Sequence, residues 1–90
     1  MRIKDLEIKN RLGGHARASA KLAIYASKFI NTNIIVEYKG HKVNSKSILS
    51  LTLLGLNKGA VIRFYIDGPQ EELAILVLSE LIEDRFGEDE

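Results

Sequence analysis

The spacing of apolar and polar residues changes period several times along this chain, and each change marks an element. In "RIKDLEI", Leu6 and Ile8 fall on one side and Glu7 on the other, the alternation of a half-buried strand. "NRLGG" breaks that run, because paired glycines favour turns. From Ala16 the period becomes helical. Leu22, Ala23, Ala26, Phe29 and Ile30 recur at three- and four-residue steps and predict one buried stripe, ended by "INTN". "IIVEY" is β-branched and aromatic and reads as a strand. "KGHK" predicts a tight turn containing His41, and "KVN" begins the return of a hairpin.

"SKSILSLTLLG" opens on serine, continues apolar and reaches Gly55, which predicts a short capped helix. "LNKG" is a loop. In "AVIRFYI", Ile62, Phe64 and Ile66 face one way and Val61, Arg63 and Tyr65 the other. "DGPQEELAILVLSELIEDRFGEDE" is the clearest helix. Pro69 suits its first turn, and Glu71 and Glu72 meet the positive end of its dipole. Leu73, Leu76, Val77, Leu81 and Ile82 are its expected core stripe, and Gly87 its stop. The order β-α-β-β-α-β-α predicts an α+β two-layer domain, an antiparallel sheet with helices on one face. The pattern leaves strand order open, and a ferredoxin-like sheet fits the same string.

Length limits this picture to a single domain, residues 1–90, with its sites at the surface rather than in a deep cleft. Thirteen basic and 12 acidic residues leave a formal charge of +1, which argues against a dedicated nucleic-acid binder. No cysteine is present, so disulfides, thiol catalysis and cysteine metal sites are excluded. His15 and His41 are the only histidines, too few for a histidine metal cluster. No apolar run is long enough to span a bilayer and "MRIKDLEIKN" has no signal-peptide core, so a soluble cytoplasmic protein without membrane contact is expected.

One residue does not fit its position. His15 stands between two glycines and a helix start, where a cap is normally Ser, Thr, Asp or Asn. The first N–H groups of a helix lack internal partners and carry the positive end of the dipole, a ready site for phosphate. Here they are those of Ala16, Arg17 and Ala18, and the Arg17 guanidinium adds a fork matched to phosphate oxygens. Histidine is itself a nucleophile able to carry a covalent intermediate. The plainer reading is a solvated His–Arg pair.

The stretch "NRLGGHARASAKL" resembles the active-site segment N-x-x-G-[LMI]-H-A-R-P-A of the HPr family, the histidine-containing phosphocarriers of the bacterial sugar phosphotransferase system. "VEYKGHKVNSKSILSLTLLGLNKGAVIRFYIDGPQEEL" is similar to that family's second half, with its G-K-x-V-N-x-K-S-I, so the likeness covers nearly the whole chain. The resemblance implies an open-faced β-sandwich of sheet order 1-4-2-3 with three helices on one face. It implies that His15 takes a phosphoryl group on Nδ1 from phosphorylated enzyme I and gives it to IIA domains of sugar transporters, with Arg17 steadying the phosphate. Such a protein is a monomeric carrier with a transient phosphohistidine and no cofactor, not a stand-alone turnover enzyme.

By the same resemblance Ser47 matches a regulatory serine, modified in some bacteria by a dedicated kinase, which slows transfer and promotes binding to a transcriptional regulator. Serine is also a favoured N-cap, which explains it structurally. Ile48 and Leu49 match apolar residues shown to partners, whereas the plain expectation for Ile48, Leu49 and Leu51 is core. Gly14 stands where the family has an apolar residue, Ala18 where it has proline, and Ser50 and Thr52 where many members have glycine and an apolar side chain. These departures allow a divergent regulatory paralogue, of a nitrogen-type chain or acting through Ser47. An RNA-binding module is disfavoured, because adjacent Phe64 and Tyr65 face opposite sides of a strand and cannot form one stacking platform.

Overall fold

The structure, a computed structural model, describes residues 1–9 and 15–87, and at His15 and Ala16 the backbone only. Its elements are β1 (Arg2–Glu7), α1 (His15–Ser27), β2 (Asn33–Tyr38), β3 (His41–Asn44), α2 (Ile48–Leu53), β4 (Val61–Asp67) and α3 (Glu71–Glu83), followed by a short 3-10 turn, Arg85–Gly87. The element order is the one expected, and the expected turn at Gly13 and Gly14 lies outside the described residues.

The strand order left open by the pattern is β1-β4-β2-β3, antiparallel throughout. β4 sits inside the sheet because its alternation is the cleanest: Ile62, Phe64 and Ile66 are each at most 1% exposed. On the neighbouring strands Leu6, Ile34 and Val36 join them, and these side chains meet the buried residues of all three helices in one hydrophobic cluster. β1 and β3 take the edges. Their exposed Lys4, Asp5, Lys42 and Asn44 discourage a further strand from pairing there. None of the described helices covers the opposite face of the sheet, which is held by polar contacts. Arg63 donates to both Asp5 oxygens at 2.7 and 3.1 Å, and the Lys42 ammonium lies 4.6 Å from the Tyr65 ring centroid.

Four local expectations need correction. α1 starts one residue earlier than expected, at His15, and stops at Ser27. The N–H groups of Lys28 and Phe29 bond back to Tyr25 and Ala26, three residues behind, so the chain tightens and turns. Phe29 still reaches the core, but Ile30 is carried off the stripe and is 81% exposed. His41 is not in the turn but is the first residue of β3, opposite Tyr38; Lys39 and Gly40 make the turn, both with positive φ. Pro69 precedes α3, whose N-cap is Gln70.

The α3 stripe is displaced as well. Ala74, Leu78, Leu81 and Ile82 are buried, whereas Leu73 and Leu76 are 53% and 62% exposed. The helix is apolar around most of its circumference from Leu73 to Leu78, so its own period does not choose a face. The chain entering it does. At Gly68 an added Cβ would lie 2.6 Å from the Thr32 Cα, so only glycine allows this approach to the connection between α1 and β2. Thr32 then accepts the Gln70 N–H on Oγ1 at 3.1 Å, fixing where α3 begins and how it is rotated.

Candidate functional site

His15, Ala16, Arg17 and Ala18 form the first turn of α1, so the N–H groups named from the sequence are among those a helix leaves unpaired. Arg17 is exposed, and the Ala18 methyl is buried in the core. Ala18 therefore does for packing what proline would do for backbone stiffness: it fixes this turn against the sheet layer. The position before the helix, Gly14, lies outside the described residues.

α2 packs beside α1. Ser47 is its N-cap, with extended backbone, and its Oγ accepts the N–H of Ser50 at 3.3 Å. The same oxygen donates to Ser50 Oγ at 3.0 Å. The segment before α2 is pinned from two sides. Buried Ser45 donates its hydroxyl to the Ile34 carbonyl at 2.9 Å, and the Lys46 ammonium reaches the carbonyls of Phe29 and Thr32 at 2.7 and 2.8 Å. Lys46 thus neutralises the carbonyls beyond the C-terminal end of α1 and joins that helix to the head of α2.

A six-residue helix can bury only one side. In α2 that side is Leu51, 1% exposed, while Ile48 and Leu49 are 46% and 69% exposed. Of the three residues whose default was core, Leu51 alone is there. Leu53 was not singled out from sequence, yet it is 77% exposed and lies one turn beyond Leu49 on the same side of the helix. Four apolar residues in one short helix with one buried face are the signal that marks it. Thr52 bonds back to the Ile48 carbonyl at 2.8 Å, which satisfies its hydroxyl within the helix. The structure thus brings His15 through Ala18 and Ser47 through Leu49 onto neighbouring helices and leaves His41 apart, on the hairpin.

No group of three or more potential metal ligands occurs among the described residues, and none of their helices is long and apolar enough to cross a membrane.

Comparison with known proteins places this geometry. Residues 3–84 match the family model described as the PTS HPr component phosphorylation site. The chain is 49% identical to the phosphocarrier protein HPr of Xylella fastidiosa over 85 residues, 94% of each protein. It is 40% identical to the phosphocarrier protein HPr of Cupriavidus necator over 87 residues, 97% of each. A solved HPr structure from Thermoanaerobacter tengcongensis superposes over the whole of both chains with a TM-score of 0.92 at 43% identity. A first turn opened by histidine, the β1-β4-β2-β3 sheet and these matches agree: the chain belongs to the HPr family, the phosphocarriers of the phosphotransferase system.

Proposed function

We propose that this HPr carries a phosphoryl group on His15, accepting it from phosphorylated enzyme I and passing it to IIA domains of sugar transporters. The observation that carries this reading is the position of His15 as first residue of α1, within the stretch matched by the family's phosphorylation-site model. In the step, Nδ1 attacks phosphorus, the N–P bond forms, and the bond from phosphorus to enzyme I breaks. The charge gained at the helix head meets the N–H groups of Ala16, Arg17 and Ala18 and the Arg17 guanidinium. Transfer to a IIA domain is the same exchange in reverse. Exposed Ile48 and Leu49 give both partners an apolar surface on the neighbouring helix. The protein acts as a cytoplasmic monomer, free to leave one partner for the next.

A second reading is supported by Ser47. Its half-exposed side chain caps α2, where a phosphate is electrostatically tolerated, so a serine kinase could modify it and a transcriptional regulator read the product. Incubation with enzyme I and labelled phosphoenolpyruvate separates the two. Acid-labile label on the wild type, lost in His15→Ala and kept in Ser47→Ala, is the expected result. Absence of label from the wild type would leave only the regulatory reading.

A further inference from the structure

Between the β2–β3 hairpin and α2 lies a cleft of about 470 Å³, lined by Tyr38, Lys39, His41, Val43, Ser50, Leu53, Leu54 and Gly55. Its size falls within the range that small-molecule sites occupy. Its lining divides cleanly. Val43, Leu53 and Leu54 with the Tyr38 ring form an apolar floor, and Leu53 and half-buried Leu54 leave that floor open to water. Lys39, His41 and Ser50 supply the polar groups, and no carboxylate lines the cleft.

The Lys39 ammonium has only the Tyr38 ring, 5.3 Å from its centroid, and neither Lys39 nor His41 has a carboxylate partner among the described residues. Ser50 Oγ is paired with Ser47 Oγ at 3.0 Å and is half-exposed at the rim of the cleft. The turn that presents Lys39 holds it at φ 50°, a left-handed conformation uncommon for lysine. A lysine and a histidine without carboxylate partners, with a serine hydroxyl beside an apolar floor, describe a complementary molecule. We propose that this cleft binds a small organic anion, a phosphate or carboxylate on an aromatic or aliphatic body. The anion would bond to Lys39, His41 and Ser50, and the body would stack on Tyr38 over Leu53 and Leu54. The site uses nothing of His15. It does share Ser50 with Ser47, so an occupant touches the residue that holds the α2 cap.

The test is an amide NMR titration of the full chain with phenyl phosphate, compared with inorganic phosphate and benzyl alcohol. Saturable shifts at Tyr38, His41, Ser50 and Leu53 with phenyl phosphate are expected, with at least tenfold weaker binding of the other two. Lys39→Asn, which keeps a residue tolerant of positive φ, and His41→Gln should each weaken phenyl phosphate several-fold while leaving phosphorylation by enzyme I unchanged. Equal binding of inorganic phosphate, shifts that ignore both substitutions, or no saturable shifts would overturn the proposal.

Discussion

At the head of α2 one oxygen, Ser47 Oγ, accepts the N–H of Ser50 and donates to its hydroxyl. Removing it leaves an N–H without its cap and breaks the pair. Ser47→Ala should therefore lower stability by about 1 kcal/mol in a urea titration, the usual loss for a serine N-cap. Ser47→Asp should stay close to the wild type, because aspartate caps as well as serine and brings a charge that the helix head favours. If alanine and aspartate were equally destabilising, the cap would not be what holds this residue. Ser47 was legible in the sequence as a cap because its chemistry is local. The bond between Ser47 and Ser50 was not, since it depends on rotamers that no spacing specifies. The same holds for Lys46, which reads as a surface lysine until the end of α1 arrives beside it.

α3 shows where reading by element stops. Its existence and its acidic first turn could be read directly, but its end and its buried face could not: the helix stops at Glu83 with Asp84 as its C-cap, and the expected stop, Gly87, falls in the 3-10 turn beyond it. A run such as "LAILVL" offers a plausible stripe in nearly any rotation, and the rotation is chosen by the Gly68–Thr32 approach, a contact between residues far apart in sequence. β4 behaves oppositely: a strand has only two faces, and its alternation named the buried one correctly. The corrected α3 face makes a direct contrast. Leu78→Ala empties a site 1% exposed and should cost about 2–5 kcal/mol, while Leu76→Ala, at 62% exposure, should stay within about 0.5 kcal/mol. Thermal unfolding of the two variants checks this, and equal losses would put Leu76 back in the core.

Over the whole molecule, two charged contacts tie distant parts of the chain and set opposite limits on pH. The hydrogen bond from Arg63 to Asp5, joining β4 to β1, holds the Asp5 carboxyl below its usual 3.8. A lowered carboxyl pKa stabilises the fold above the unfolded-state value and is lost as pH falls through the folded one. The N-terminal ammonium, hydrogen-bonded to Glu71 and paired with Asp67, is raised above 8.0. Its contribution is complete below 8.0 and is lost as pH rises through the folded value. Midpoints of thermal unfolding should be flat between these limits and fall gently outside them, gently because both groups lie in solvent. Asp5→Asn should flatten the acid side alone, and N-terminal acetylation the alkaline side alone. Strand order belongs to this scale too. Periodicity admitted two sheets, and the family motif, not the pattern, pointed to the right one.

Phosphorylation of His15 on Nδ1 can be read directly by NMR of the ¹⁵N-histidine-labelled protein with enzyme I and phosphoenolpyruvate. The Nδ1 resonance of His15 should move and acquire a phosphorus coupling while His41 is unchanged, and both effects should vanish on acidification. Phosphate on Nε2, on His41 or on Ser47 with His15 unmodified would contradict it.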